Sequence, residues 1–201
     1  LDVVLSEAER LGKLVEELLD FSRMQSGRLT VNTRPIDVSE LLTQTAGMYT
    51  ELARQQGIEL SYTASLISAT VLGDPDRLKQ VFVNVIDNAV KYTESGGQVL
   101  IDQICEEACV RITVKDTGVG IPAQDIDRVK EKFYKANTTV RGSGIGLAVA
   151  DEIVKLHNGE LDIDSVLGEG TTVSIKIPIE PADRDNPDKE GELNSDEQKE
   201  E

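Results

Sequence analysis

Asn84, Asn88 and Lys91 recur at steps of four and three, which puts them on one face if that stretch is helical. Their amide oxygens are hard ligands suited to magnesium, and a lysine ammonium is a compact point charge for phosphate. Downstream stand two glycine-rich turns, Asp116-Thr-Gly118-Val-Gly120-Ile121 and Gly142-Ser143-Gly144-Ile145-Gly146-Leu147. Glycine lets backbone N–H groups approach an anion closely, and a helix opening just after Gly144 would aim its positive dipole end at one. Taken singly, the asparagines could be merely solvated, Tyr92 an ordinary half-buried aromatic, and Asp116 a turn residue before glycine. In this order, with Asp116 at a strand end, they fit a nucleoside triphosphate held with Mg²⁺, and ATP is the expected ligand.

Other phosphate chemistries fit less well. A dinucleotide-binding reading of Gly142 to Gly146 needs a preceding strand, and residues 137–141 do not read as one. The chain contains no G-x-x-x-x-G-K-[ST] loop and no H-R-D or D-F-G set. Cys105 and Cys109 have no His, Asp or second Cys pair at metal-ligand spacing, so they read as buried reduced thiols. His157 is the only histidine and sits at a helix end before Asn158-Gly159, where a structural or capping role is expected.

The elements that must carry these groups follow from hydrophobic period. Val4, Ala8, Leu11, Val15 and Leu18 form the seam of a bundle helix over residues 1–28, widened by Leu5, Leu14, Leu19 and Phe21 and stopped by Gly27. Such a helix cannot bury its stripe alone and needs partners. Pro35 to Val38 reads as a strand leading into a helix capped by Ser39 and ending near Gly57. Short strands at 58–63 and 70–72 precede Asp74-Pro75, a cap-then-proline helix start. Leu78, Val81, Phe82, Val85, Ile86, Ala89 and Val90 give that helix its apolar stripe as far as Tyr92. Strands at 99–105 and 108–115 read as a hairpin, 143–157 as a helix, and 160–164 and 171–177 as closing strands. Residues 122–143 are polar and lack a strand period; from Pro181 the chain is acidic, without aromatics, and reads as disordered.

Length and charge bound the rest. Two hundred and one residues suit one domain with an appendage, and a net charge of −16 disfavours nucleic acid and anionic membrane as partners. No apolar run is long enough to span a bilayer and no signal peptide opens the chain. Leu1 in place of an initiator Met reads as a fragment of a longer protein, whose membrane anchor could lie upstream.

These motifs carry a resemblance. Residues 36–180 resemble the catalytic ATP-binding domain of bacterial sensor histidine kinases, within the ATPase superfamily shared with gyrase and mismatch-repair proteins. Asp76 through Asn84, Asn88, Lys91, Tyr92 and Thr93 is similar to that family's N box, and Asp116 to Ile121 to its G1 box. Lys132-Phe133-Tyr134-Lys135 is similar to its F box, Gly142 to Leu147 to its G2 box, and Leu167 to Thr171 to its usual ending. Residues 1–28, notably Leu18 to Arg23, resemble the second helix of the dimerisation domain, leaving 29–35 as linker and 181–201 as tail.

The resemblance implies an α/β two-layer sandwich, a mixed sheet covered on one face by three helices and preceded by the long bundle-forming helix. It implies that Asn88, with Asn84 nearby, holds Mg²⁺ against the phosphates, that Lys91 contacts phosphate, and that Tyr92 packs near adenine or ribose. Asp116 would accept from the adenine amino group, with Gly118, Gly120 and Ile121 shaping the pocket. Residues 122–143 would be a lid anchored by Phe133 beside Tyr134, with Arg141 able to reach the terminal phosphate. Gly144 and Gly146 would approach phosphate, and Gly142, Ser143, Ile145, Leu147 and Thr171 would also belong to the ATP site. The implied parent phosphorylates its own histidine and then a response-regulator receiver domain, works as a homodimer, and is anchored in the cell membrane with this portion cytoplasmic. The phosphoacceptor histidine of that scheme is not in this chain. The lid departs from the family pattern: it is short, and Lys135-Ala136-Asn137 replaces an acidic residue. Two other readings keep the same fold: an anti-sigma-type regulatory ATP-binding protein, which would not need the bundle helix, and a docking module without catalysis.

Overall fold

Alternation along the strands sorts this chain into one wet and one dry sheet face. The computed structural model describes residues 11, 12, 15, 18–20, 22, 23, 26–64, 70–131, 134 and 143–179. The elements run β1 (Arg34–Asp37), α1 (Val38–Gln55), β2 (Glu59–Thr63), β3 (Thr70–Gly73), α2 (Pro75–Tyr92), β4 (Gln98–Cys105) and β5 (Cys109–Asp116). A 3₁₀ turn (Ala123–Asp125), α3 (Gly146–Leu156), β6 (Glu160–Val166) and β7 (Gly170–Pro178) complete them. Five strands form a sheet in the order β2-β4-β5-β7-β6, parallel only between β2 and β4, so the sheet is mixed as expected. Val99, Ile101, Val110, Ile112, Val173 and Ile175 alternate onto its dry face. There they meet Leu42 and Ala46 of α1, Phe82 and Ile86 of α2, and Ile153 and Val154 of α3. Apart from Ala46, each such side chain contributes roughly 1.5–3 kcal/mol by leaving water.

Strands β1 and β3 were legible, but their partnership was not. They pair antiparallel with each other, Ile36 opposite Val71, as a separate two-stranded sheet. Three further expectations need correcting. The cap of α1 is Asp37, whose Oδ1 accepts from the N–H groups of Ser39 (2.8 Å) and Glu40 (3.3 Å). Ser39 lies in the first turn, and its hydroxyl accepts from the buried Gln103 amide at 2.7 Å. The frame Asp37-x-x-Glu40 puts an acid three residues after the cap, where the Ser39 frame has Leu42. Second, α3 begins at Gly146 and not Ser143, because Gly144 takes a left-handed φ of 73° that ends any helical run through it. Third, the two cysteines are only partly buried. Register puts Cys105 opposite Val110 on the dry face, so Cys109, one residue away, points to the other face.

His157 plays the structural role its position implied. It is buried; its Nε2 accepts from the Asp74 N–H at 2.9 Å and its Nδ1 lies 2.7 Å from the Ile153 carbonyl. An acceptor at Nε2 leaves the proton on Nδ1, and this tautomer ties the end of α3 to the cap of α2. His157→Ala should cost about 2–3 kcal/mol, from an orphaned Asp74 N–H and a cavity. A melt unchanged from that of the unsubstituted chain would show that this clamp carries no stability.

At the N-terminal end, the described residues from Leu11 to Arg23 are helical, and Gly27 ends the run with a φ of 63°. Leu11, Val15, Leu18 and Leu19 are more than half exposed, a stripe without cover among the described residues. Val4, Leu5, Ala8, Leu14 and Phe21 of the expected seam, and the tail from Glu180, lie outside the described residues. Asp20 on the same helix is buried. It accepts from Arg77 Nη1 on both oxygens (2.9 Å each) and from Gln80 at 2.8 Å, joining the helix to α2.

Candidate functional site

Helix α2 carries the amide and lysine motif, and its start is over-determined. The Asp74 carboxylate accepts from the N–H groups of Asp76 and Arg77 (3.1 Å each) and from Asn32 (2.8 Å), and Pro75 sits where no amide hydrogen is needed. Burial works against the Asp74 charge, but those N–H donors and the Arg77 charge outweigh it and hold its pKa below the ordinary value. The apolar stripe of α2 buries one side, which leaves Asn84, Asn88 and Tyr92, one turn apart each, along the edge that meets the two glycine turns.

Contacts at each end of that edge bring the motifs together. Asn84 is buried and donates its amide to the Gly146 carbonyl at 3.0 Å, docking the first turn of α3 on α2. Two turns on, the Tyr92 carbonyl accepts from the Val119 N–H at 3.1 Å, docking the Asp116–Ile121 turn. Gly118 fits only as glycine, since a Cβ there would press into that same Tyr92 carbonyl. Asn88 lies between, half-buried and with no protein partner among the described residues. Lys91 Nζ stands 5.2 Å from the centre of the Tyr92 ring. Burial first, and the nearby Asp87 charge second, raise the Tyr92 pKa and keep the phenol neutral.

Asp116 ends β5 inside the fold, where its Oδ1 accepts from the N–H groups of Gly118 (2.8 Å) and Thr171 (3.1 Å). Oδ2 has no protein partner among the described residues and offers an acceptor to a ligand donor. Burial pushes this carboxyl above the ordinary aspartate value, and the two N–H bonds offset the shift only in part. A buried carboxylate with one open oxygen can select a ligand by an amino group.

Beyond Ile121 the chain enters the segment read as a lid. Tyr134 donates its hydroxyl to Asp125 at 2.6 Å, and the Arg128 guanidinium lies 4.1 Å from the centre of its ring. Tyr134 is therefore tied to its own segment, a contact its grouping with the ligand residues did not foresee. Lys130 donates to the Leu161 carbonyl and pairs with Asp151, which also holds Lys155 at 2.6 Å, fastening the base of the segment to α3 and β6. Ser143 accepts from the Ile145 N–H at 3.2 Å to shape the second glycine turn, and Leu147 sits half-buried in the first turn of α3. Phe133, Arg141 and Gly142 lie outside the described residues.

The donor set bears on a metal. Among the described residues no three His, Cys, Asp or Glu side chains gather as a cage. Asn88 offers an unpaired amide oxygen, and Asn84, whose NH₂ donates to Gly146, also keeps its Oδ1 without a protein partner among the described residues. That arrangement fits Mg²⁺, which accepts one or two protein oxygens and takes the rest from phosphates and water.

Comparison with known proteins assigns the fold to a family. Residues 73–181 match the family described as histidine kinase-, DNA gyrase B- and HSP90-like ATPases. The chain is 35% identical over 185 residues to the circadian input-output histidine kinase CikA of Synechococcus elongatus, covering 87% of this chain and 24% of that protein. It is also 35% identical over 190 residues to the sensor histidine kinase WalK of Bacillus subtilis, covering 92% of this chain and 31% of that one. Among solved structures, full-length ShkA in complex with AMPPNP superposes with a TM-score of 0.78 at 30% identity, over 88% of this chain and 37% of that chain. The fold and the paired glycine turns thus define a nucleotide-binding ATPase domain of the kind found in sensor histidine kinases. The chain belongs to the histidine kinase-, DNA gyrase B- and HSP90-like ATPase family. It spans a third or less of the curated relatives it matches.

Proposed function

We propose that this chain is the ATP-binding catalytic part of a sensor histidine kinase. Asp116 selects adenine, Asn88 holds Mg²⁺ against the phosphates, and Lys91 adds a positive charge there. The observation that carries the reading is Asp116: a buried carboxylate with one oxygen held by Gly118 and Thr171 and the other open. The unpartnered amide of Asn88, one turn from both docking points, supports the phosphate end. AMPPNP in the complex of ShkA, a relative of the same fold, supports an adenine triphosphate as ligand.

When bound, magnesium would neutralise charge on the phosphoryl group in flight. This chain's own task is to hold the adenine, align the phosphates and keep water from them. The receiving histidine belongs to the parent protein, because His157 is buried with both ring nitrogens engaged. Residues 1–28 fit the second helix of the dimerisation domain, the exposed Leu11, Val15 and Leu18 stripe meeting its bundle partners in a homodimer. Residues 29–35 then act as linker, 36–180 as the catalytic domain and 181–201 as an acidic tail, with the phosphoryl group passing to a response-regulator aspartate. No described helix is long and apolar enough to cross a membrane, and the strong negative charge disfavours direct contact with anionic lipid. In the parent, this portion would be cytoplasmic and a membrane anchor would lie elsewhere.

Calorimetry with ATP, with and without Mg²⁺, tests the reading, with GTP as the control. The wild-type chain should bind ATP in preference to GTP, and Mg²⁺ should tighten ATP binding. Asn88→Ala should remove the Mg²⁺-dependent gain, about tenfold in affinity, and leave Mg²⁺-free binding unchanged. A folded wild-type chain that ignores ATP would refute the assignment.

A further inference from the structure

We propose that Ser165, on β6, is the positioning residue for the adenine end of the site, acting through the Asp116 turn. This rests on the ATP reading above and adds a residue that none of the sequence motifs contained. Along β6 the inward positions are Leu161 and Ile163, both buried, and the third in that alternation is a serine where the period calls for an apolar side chain.

The hydroxyl uses its full bonding capacity. It accepts from the Ile121 N–H at 2.8 Å and donates to the Gly170 carbonyl at 2.8 Å. Its one proton is thereby committed, so the 2.9 Å contact with Thr171 Oγ1 must be donated by the threonine. Thr171 in turn gives its N–H to Asp116 Oδ1, the oxygen that also takes the Gly118 N–H. The bonds close a ring: Asp116, along the turn to Ile121, across to Ser165, on to Thr171, and back to Asp116. The Gly168 N–H reinforces it by donating to the Val119 carbonyl at 2.8 Å.

A two-strand hairpin does not require any of this. Strands β6 and β7 are already paired from Glu160 to Val166, and their turn closes without Ile121. What the serine adds is a connection from the far end of the glycine turn to the strand that supplies one of the two donors to Asp116. That connection fixes the direction in which the open Asp116 oxygen points. Its loss should loosen discrimination between bases more than it loosens the fold.

The experiment measures ATP and GTP affinities, with Mg²⁺ present, for the wild-type chain, Ser165→Ala and Ser165→Cys, alongside thermal melts. The expected result is a folded Ser165→Ala whose ATP affinity falls about tenfold while GTP affinity falls less, so that the preference for adenine narrows. Ser165→Cys keeps the size but bonds weakly, and should fall between the two. An unchanged ATP-to-GTP ratio in both variants would overturn the inference, whatever happens to the melts, because it would leave Ser165 a merely structural residue. Should one variant fail to fold, the other gives the same ratio and decides the matter. Wild-type protein that does not bind ATP would refute the underlying reading and this inference with it, a result distinct from failure in the variants alone.

Discussion

Asp116→Asn should weaken ATP binding about 100-fold, or ~2.7 kcal/mol, while leaving the fold as stable as before or more so. Asparagine keeps an oxygen for the N–H groups of Gly118 and Thr171, so the turn stays in place. It turns the open side from an acceptor into an NH₂ donor, which meets the adenine amino group donor to donor. Stability moves the other way because burial raises the Asp116 pKa, against partial relief from its two N–H bonds. For a carboxyl shifted upward, the folded state holds its proton more tightly than the unfolded chain. Stability is then lost as pH rises from the ordinary aspartate range through the raised value, and a neutral asparagine escapes that loss. ATP affinity should show the complementary pH profile. It should fall on acidification from a pH above that of an ordinary aspartate, as the acceptor gains a proton, and Asp116→Asn should lose that dependence. Calorimetry across the acid range, with melts at neutral pH, reads both effects. Undiminished ATP binding by the variant would take Asp116 out of the site.

Gly170→Ala should be among the most damaging glycine-to-alanine changes at the described positions. Gly170 has a φ of 122°, which L side chains rarely adopt, and an added Cβ would drive into the Asp116 carbonyl, with Thr117 Cα at 2.9 Å. Neither neighbour is the end of a flexible side chain; both are backbone of the ligand turn. Relief therefore has to come from parting the β6–β7 turn and the Asp116 turn, which also withdraws the Thr171 N–H from Asp116. A cost of about 3 kcal/mol is expected, equivalent to a fall in Tm of roughly 10 °C, together with loss of nucleotide binding. Gly168→Ala, two residues earlier in the same turn, separates strain from contact. Its φ is 83°, but a Cβ there meets nothing within 4 Å, so only about 1 kcal/mol of conformational cost should appear. Equal melts for the two variants would show that the turns are not interlocked.

Some of this was readable because its causes lie close together along the chain. The start of α2 needs only Asp74, Pro75 and the stripe that follows, and the structure begins the helix where that pattern does. The Asp116-x-Gly118 turn is equally local, since the aspartate accepts from a glycine two residues on. The hairpin of β4 and β5 came from alternation and a short turn. The start of α3 did not, because a left-handed Gly144 sets the boundary and the apolar period that follows it does not mark its own first residue. The cap of α1 was misread because Asp37 and Ser39 both suit the role, and only the bond from Gln103 to Ser39 shows which is otherwise employed.

The sequence by itself therefore determined most of the helices and strands and the family, since those depend on period, capping and turn chemistry within a few positions. Tertiary structure alone decided what holds them in place. Asn84 reaches Gly146 across 62 residues, Thr171 reaches Asp116 across 55, and Ser165 reaches Ile121 across 44. The pairing of β1 with β3 and the Asp20–Arg77 contact are of the same kind. A hydrogen bond depends on distance and direction in space, and no periodicity along the chain encodes which far-off donor will meet a given acceptor. The candidate groups were visible as letters; the Thr171 bond that helps hold Asp116 Oδ1 was visible only in the fold.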